Sequence, residues 1–337
     1  MTALAHAPRA TTYSLDALAL DHAAETARIA AAIREQTSKR LRKRGIVLGL
    51  SGGIDSSVTA ALAARALGAD KVLGVLMPER DSDPDSLRLG RLLAEALGIE
   101  TVLEDIGPML DAAGCYRRRD DAIRTVLPEF GEGWACKLVI DPDMRARGYT
   151  ISVIVARSPE GREERRRLSA TAYQAVVAAA NMKQRTRKQL EYYHADRLNY
   201  AVAGTPNRLE YDQGFFVKNG DGAADLKPIA HLYKSQVYAL AAHLGVPDEI
   251  CRRPPTTDTW SMPQTQEEFY FAVDHVAMDL CLFALEHGVD AEATALAAGI
   301  GPAQVEAVWK DIAAKRKVAR ILHERPMTVD PIAVAMG

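Results

Sequence analysis

The residues best suited to chemistry stand in one short stretch, residues 49–57, where two adjacent glycines precede an aspartate and two serines. Successive glycines let a backbone approach an anion closely, and N–H groups at the start of a following helix point toward it. Asp55 stands at that helix start, where a carboxylate can hold a divalent cation against phosphate oxygens. The stretch therefore predicts a polyphosphate site. The alternative is a plain strand-to-helix turn whose glycines serve only close packing.

The neighbouring elements favour the first interpretation. Residues 45–50 are apolar and bounded by glycine, which is typical of a buried parallel strand, and an alanine-rich helix opens from Ser56. Helices and buried strands then alternate, at residues 58–67, 71–77, 84–97 and 100–103. This alternation predicts an α/β fold, a doubly wound parallel sheet with helices on both faces. Ligands bind such sheets at the carboxyl ends of the strands, where the glycine turn would lie.

The remainder of the chain divides into three predicted parts. We predict a disordered lead at residues 1–13, an ATP-binding domain at 14–265, and a helical extension of the same domain at 266–337. Apolar residues from Ser14 to Leu41 recur at helical spacing, which predicts one long amphipathic helix.

Residues 110–168 interrupt this pattern. Runs of β-branched and apolar residues at 137–140 and 149–156 predict a small β-hairpin insertion, and the arginine-rich run at 162–167 predicts a solvated face. A predicted helix at 168–198 follows, on which Arg185 and Arg187 cannot share one face.

Two later segments add candidate ligands. A predicted strand at 200–203 is followed by residues 204–210, which place a threonine and an acid at the ligand edge of the sheet. Residues 214–229 are rich in glycine, lysine and aspartate, and long loops of this kind in compact domains tend to be functional. The loop at 77–86 should also lie near the nucleotide, although helix capping explains much of its composition.

Bulk properties exclude several classes of function. The chain has 337 residues and a formal charge of −2, which gives no reason to expect nucleic-acid or membrane binding. No apolar run reaches the roughly 20 residues of a membrane helix. The four cysteines are scattered without Cys-x-x-Cys spacing, which suits reduced thiols in the cytoplasm.

Six motifs carry a resemblance to a known family. Ser-Gly-Gly-x-Asp-Ser resembles the loop of the ATP pyrophosphatase (PP-loop) superfamily, which cleaves ATP between the α and β phosphates. With it, five later motifs resemble the ammonia-using NAD synthetase family: Asn-Met-Lys-Gln-Arg-Thr-Arg (181–187), Gly-Thr-Pro-Asn-Arg-Leu-Glu (204–210), Phe-Phe-Val-Lys-Asn-Gly-Asp-Gly-Ala-Ala-Asp (215–225), Tyr-Lys-Ser-Gln-Val (233–237) and Pro-Pro-Thr (254–256). The resemblance covers residues 15–105 and 175–325.

The resemblance implies a role for each matching residue. It implies Mg²⁺ ligands at Asp55 and Glu210, and binding of deamido-NAD by Arg185, Lys218 and Asp225. It implies catalytic roles for Asp55, Lys218, Asp225 and Lys234. The implied ATP-binding residues are Gly49, Leu50, Ser51, Gly52, Gly53, Ile54, Asp55, Ser56, Ser57, Thr205, Lys234 and Thr256.

The implied reaction is ATP- and Mg²⁺-dependent adenylation of the deamido-NAD carboxylate, release of pyrophosphate, and amidation by ammonia. The pattern begins by about residue 15, which leaves no room for a glutaminase domain, so the expected nitrogen source is ammonia, free or supplied by a separate glutamine amidotransferase. A homodimer is also implied.

Three departures from the family pattern leave a second function open. The usual His-Lys-Arg near the C-terminus is here Ala314-Lys315-Arg316-Lys317, and the usual Asp-Glu-x-x-Leu-Gly is residues 266–271, Gln-Glu-Glu-Phe-Tyr-Phe. The predicted insertion is the third. The alternative is a related amide-forming ligase for a different carboxylic acid. A nucleotide-binding regulator without turnover is disfavoured because Asp55, Glu210, Lys218 and Lys234 are all present, and sulfur transfer to tRNA because paired cysteines and a basic surface are missing.

Overall fold

A four-stranded parallel sheet lies at the centre of the computed structural model, which describes residues 13–141, 151–256, 259–271 and 273–330. The strands, in chain order, are β1 (Ile46–Gly49), β2 (Val72–Leu76), β3 (Glu100–Leu103), β4 (Ala135–Ile140), β5 (Ser152–Arg157), β6 (Glu163–Arg167) and β7 (Ala201–Val202). The central sheet has the order β3-β2-β1-β7, and every pair in it is parallel. The predicted doubly wound α/β fold is confirmed.

Helices cover both faces of this sheet. In chain order they are α1 (His22–Arg34), α2 (Ile54–Leu67), α3 (Pro84–Leu97), α4 (Gly107–Ala112), α5 (Cys115–Arg124), α6 (Ala170–Leu198), α7 (Arg208–Gln213), α8 (Lys234–His243), α9 (Asp248–Cys251), α10 (Gln266–Phe269), α11 (His275–His287), α12 (Ala291–Ala298) and α13 (Pro302–His323). Alternate residues of β1 face opposite ways. Ile46 and Leu48 pack with α1, α2, α3 and α8, whereas Val47 packs with α4, α5 and α6. The central strands are therefore buried on both faces.

The N-terminal segment differs from the single long helix that the spacing predicted. A short 3₁₀ turn at Leu15–Leu18 is followed by a break, and α1 begins only at His22. The Asp21 side chain accepts a hydrogen bond from the Ala24 N–H at 3.0 Å, which caps the new helix start. A π-helical turn at Glu35–Arg40 completes the segment. Residues 1–12 of the predicted lead lie outside the described residues, and the hydroxyl of Tyr13 donates to the Leu280 carbonyl at 2.6 Å.

The region that was predicted as an insertion holds three strands where two were predicted, and we call their sheet the inserted sheet. An antiparallel sheet of order β4-β5-β6 replaces the hairpin, and β6 comes from the arginine run that was predicted only as a solvated face. The run is largely exposed, as expected, but its backbone pairs with β5. Residues 142–150, which include the start of the second predicted strand, lie outside the described residues. The inner side of this sheet packs on α5, α6 and Trp260.

The C-terminal helices α11, α12 and α13 form a separate apolar cluster with α7 and the start of α8. Their apolar faces meet through Met278, Leu282, Val305 and Ile312. Within the described ranges, no helix combines the length and the hydropathy that a membrane crossing needs.

Candidate active site at the carboxyl ends of the parallel strands

The glycine turn between β1 and α2 has the open backbone that the sequence predicted. Gly52 has a φ of +68°, and a Cβ there would lie 2.7 Å from Cβ of Leu89 and 2.8 Å from the Ser86 carbonyl oxygen. Gly53 is the residue before α2, and no side chain of the described residues caps that helix start. The first N–H groups of α2 therefore remain available to an anion.

Three serines stabilise the turn. The Ser51 Oγ accepts a hydrogen bond from the Gly53 N–H at 3.3 Å. The hydroxyls of Ser56 and Ser57 both donate to the Gly53 carbonyl, at 3.0 and 2.8 Å. The Ser51 contact uses the N–H of Gly53, and the other two contacts use its carbonyl.

A cluster of charged and amide side chains lies beside this turn. Lys234 Nζ donates to one carboxylate oxygen of Asp55, and Asn207 Nδ2 donates to the other at 2.9 Å. Asn207 also caps α7, because its side-chain oxygen accepts from the Glu210 N–H at 3.2 Å while Glu210 Oε2 accepts from the Asn207 N–H at 3.2 Å. A single asparagine therefore joins both carboxylates that were predicted to hold magnesium.

Burial makes the cluster electrostatically unusual. Glu210 is 9% exposed, and this burial together with the Asp55 charge raises the pKa of Glu210 to about 8. Burial alone would lower the pKa of Lys234, but Asp55 and Glu210 hold it above its ordinary value, so the ammonium stays charged. A second cation would relieve the repulsion between the carboxylates.

The donor set suits Mg²⁺. Two carboxylates, from Asp55 and Glu210, converge beside a turn built for phosphate, and Mg²⁺ is commonly bound by one or two carboxylates together with substrate phosphates. No cluster of three or more histidine, cysteine or acidic side chains suitable for a metal occurs among the described residues. Asp55 and Glu210 would therefore hold Mg²⁺ together with oxygen atoms of phosphate or water.

The start of α8, the helix that carries Lys234, is held by a buried carboxylate of α11. Asp279 of α11 is fully buried and accepts hydrogen bonds from the N–H groups of Lys234 and Ser235, at 3.1 and 2.7 Å, and from the Ser235 hydroxyl at 2.7 Å. Burial raises the pKa of Asp279 to about 6, against the effect of these donors. The C-terminal helices therefore set the position of Lys234, with Asp279 capping its helix.

A cleft of about 940 Å³ opens over the cluster. Most of the predicted ATP and metal residues line it: Gly49, Leu50, Ser51, Gly53, Ile54, Asp55, Ser56, Thr205, Glu210, Lys234 and Thr256. Gly52 and Ser57 are buried and do not line the cleft. The far wall comes from α6, the inserted sheet, residues 214–217 and α13.

The three residues predicted to bind deamido-NAD are not on the lining of this cleft. Lys218 Nζ donates to the Ile321 carbonyl at 2.7 Å, and Arg185 Nε donates to the Lys218 carbonyl at 3.2 Å. Asp225 accepts from the Val202 N–H at 2.8 Å. Arg187 lines the cleft instead, which agrees with the prediction that the two arginines point different ways. The roles of Arg185, Lys218 and Asp225 stay predictions.

A buried charge network beneath the cleft was not predicted. Lys183 Nζ contacts Glu79 at 2.8 Å, Asp81 at 2.7 Å and the Thr259 carbonyl at 2.8 Å, and Arg119 of the insertion reaches Asp81 at 2.5 Å. Burial opposes ionisation of Asp81, but the two cations hold its pKa below the ordinary value. The network joins the loop after β2, α5, α6 and Thr259. We therefore expect it to stabilise the wall of the cleft and to take no direct part in a reaction there.

Two further residues were missed by sequence reasoning. Asn207 could have been found, because Asn-x-x-Glu is a capping-box spacing that places both side chains at one helix start. Gln266 gave no comparable signal. Its Nε2 donates to Glu210 Oε1 at 3.0 Å, a contact between residues 56 positions apart in the chain.

Comparison with known proteins agrees with the motifs. A model of the NAD synthase family matches residues 25–125 and 135–319. An NH(3)-dependent NAD(+) synthetase of Rhizobium meliloti (strain 1021) is 63% identical over 95% of this chain and 96% of its own.

Solved structures show a shared fold. NMN synthetase from Francisella tularensis superposes with a TM-score of 0.64 at 22% identity, covering 92% of this chain and 99% of its own. An NH3-dependent NAD synthetase from Campylobacter jejuni gives 0.60 at 23% identity, covering 92% of this chain and all of its own. Because the family match covers most of the chain and includes the turn, the asparagine-linked carboxylates and Lys234, this chain belongs to the NAD synthase family.

Proposed function

We propose that this protein is an ammonia-dependent NAD synthase, a ligase that couples ATP cleavage to amidation of deamido-NAD. The observation that carries the proposal is the cluster of Asp55, Glu210 and Lys234 beside a phosphate-binding turn. Family membership and the 63%-identical relative support the choice of substrate. A different carboxylic acid substrate is not favoured. The NMN synthetase from Francisella tularensis has a different name, but at 22% identity it shows a shared fold alone.

The residues divide the work of adenylation. The backbone N–H groups of the glycine turn bind phosphate oxygens, and Asp55 and Glu210 hold Mg²⁺. When bound, Mg²⁺ neutralises charge on the polyphosphate. Lys234 adds a buried positive charge that stabilises the departing pyrophosphate. Ammonia then attacks the carbonyl carbon of the acyl adenylate, AMP leaves, and the proton that the nitrogen loses goes to a base, Asp225 or another carboxylate.

Substrate and assembly complete the proposal. Arg185, Lys218 and Asp225 are proposed to bind deamido-NAD, although they lie away from the cleft lining. We propose a homodimer, and ammonia that is free or delivered by a separate glutamine amidotransferase. Sedimentation of the purified protein tests the dimer.

The deciding experiment measures pyrophosphate release from MgATP and ammonium, with and without deamido-NAD. Release that needs deamido-NAD, with NAD as product, supports the proposal, whereas folded protein that binds ATP but ignores deamido-NAD contradicts it. Asp55→Ala and Glu210→Ala should each abolish release. Glu249→Gln, which changes a surface carboxylate paired with Arg88, should leave it unchanged.

A further inference from the structure

The segment at residues 259–266 is attached to the edge of the inserted sheet. The Ser261 Oγ accepts from the Cys136 N–H at 2.9 Å, and the Met262 N–H donates to the Cys136 carbonyl at 3.2 Å. Further along, Gln264 Nε2 donates to the Leu138 carbonyl. Because Cys136 and Leu138 belong to β4, this segment covers an edge of the inserted sheet.

A lysine on the same strand fixes the start of α10. Lys137 Nζ donates to the Pro263 carbonyl at 3.1 Å and to both carboxylate oxygens of Glu268, at 3.1 and 2.9 Å. Glu268 also completes a capping box with Thr265, whose Oγ1 accepts from the Glu268 N–H at 3.2 Å. A helix of only four residues is thus held at its first turn by β4.

The other side of this short helix faces the metal carboxylate. Gln266 Nε2 donates to Glu210 Oε1 at 3.0 Å, while the Gln266 N–H donates to the Pro255 carbonyl at 3.2 Å. Thr256 and Thr265 form an isolated antiparallel bridge beside it. The segment therefore links the inserted sheet, a predicted ATP-binding threonine and a predicted metal ligand.

We propose that the inserted sheet is the support for a positioning residue, Gln266, which orients Glu210 for the cation. This inference rests on the proposed function, because it takes Glu210 as a ligand of Mg²⁺. Asn207 fixes Oε2 of the carboxylate and Gln266 fixes Oε1, so the plane of the group is determined by two donors. Partners that orient metal ligands typically contribute about 10- to 100-fold to metal affinity or activity.

The test measures cation binding without turnover. Mn²⁺ binding is followed by electron paramagnetic resonance in the presence of α,β-methylene-ATP, which cannot be cleaved at the reacting bond. Gln266→Leu removes the donor at similar volume and should weaken Mn²⁺ binding about tenfold. Glu267→Gln, on the same turn, is the matched control and should leave it unchanged. Affinity within about twofold of wild type for a folded Gln266→Leu protein overturns the proposal.

A second pair of variants tests the support itself. Lys137→Met and Ser261→Ala remove contacts between the inserted sheet and this segment, and neither residue bonds to Glu210. Combined in one protein, the two substitutions should weaken Mn²⁺ binding, as Gln266→Leu does. Unchanged binding in the double variant overturns the role of the sheet. Glu210→Gln distinguishes failure of the proposed function from failure of this inference. If Glu210→Gln also leaves Mn²⁺ binding unchanged, Glu210 is not a metal ligand and the proposed function loses its metal assignment. If Glu210→Gln weakens Mn²⁺ binding and the other variants do not, the positioning role of Gln266 fails.

Discussion

Asn207 offers a sharp test of how the site is built, because it performs two separable tasks. Its side-chain oxygen caps α7, and its Nδ2 donates to Asp55 at 2.9 Å. It is completely buried. Asn207→Ala loses both interactions, whereas Asn207→Ser keeps a good capping oxygen and loses only the amide that reaches Asp55.

The free energies of unfolding of the two variants should differ by the contribution of the helix cap. A helix cap contributes about 1 kcal/mol, and a hydrogen bond to a charged group about 1.5–3 kcal/mol. Asn207→Ser should therefore lower the free energy of unfolding by about 1.5–3 kcal/mol, and Asn207→Ala by about 2.5–4 kcal/mol. Both should weaken the apparent affinity for Mg²⁺, because both remove the amide that orients Asp55.

Thermal unfolding and Mg²⁺ titration of pyrophosphate release measure the two effects. The expected order of thermal midpoints is wild type, then Asn207→Ser, then Asn207→Ala. If the serine variant unfolds like wild type, the bond to Asp55 contributes nothing and the reasoning is wrong. Equal midpoints for both variants would show instead that the cap does not matter.

Three further predictions concern the same region. Without metal, the folded protein keeps a proton on Glu210 up to about pH 8, whereas the unfolded chain loses it near the ordinary glutamate pKa of 4.5. The free energy of unfolding should therefore fall as the pH rises between these values, and Glu210→Gln should flatten that fall in EDTA. Gly52→Ala should lower the free energy of unfolding by about 1–3 kcal/mol, because Gly52 has a positive φ. Gly53→Ala should fold, because its Cβ would meet only the Ser51 hydroxyl at 3.3 Å, but calorimetry should show weaker ATP binding. Lys183→Met leaves two buried carboxylates short of a cation, and denaturant unfolding should show a loss of about 3–5 kcal/mol.

The local parts of the fold were predictable from sequence. Pro84–Leu97 was predicted with its observed bounds: in the sequence, proline follows a possible capping aspartate at one end and glycine follows the last residue at the other. In the structure Gly98 adopts φ +65°. The glycine turn was equally legible, since its signal lies within nine consecutive residues. Family resemblance supplied Glu210 and Lys234, which spacing alone could not connect to Asp55.

The missing parts depend on contacts between distant residues. Strand β6 has no apolar alternation, so its pairing with β5 left no periodic signal. Lys183 was read within a motif, but its two acidic partners lie more than one hundred positions away. The predicted helical extension at 266–337 also did not specify the start of α11, where Asp274 caps the helix. In each case the local structure is set by packing or capping contacts, which the secondary-structure propensity of the residues does not specify.

The inserted sheet has consequences for behaviour at high protein concentration. One edge, β4, is covered by residues of the same chain, and in the described part of the chain no strand pairs with the outer edge of β6. An uncovered strand edge can recruit the same edge of another molecule and begin aggregation. Here that edge consists of charged residues, Glu163–Arg167, and Arg165–Arg167 are exposed, so pairing with another strand would require these side chains to lose water. The run that the sequence predicted only as a solvated face thus disfavours pairing of two copies of the protein through β6.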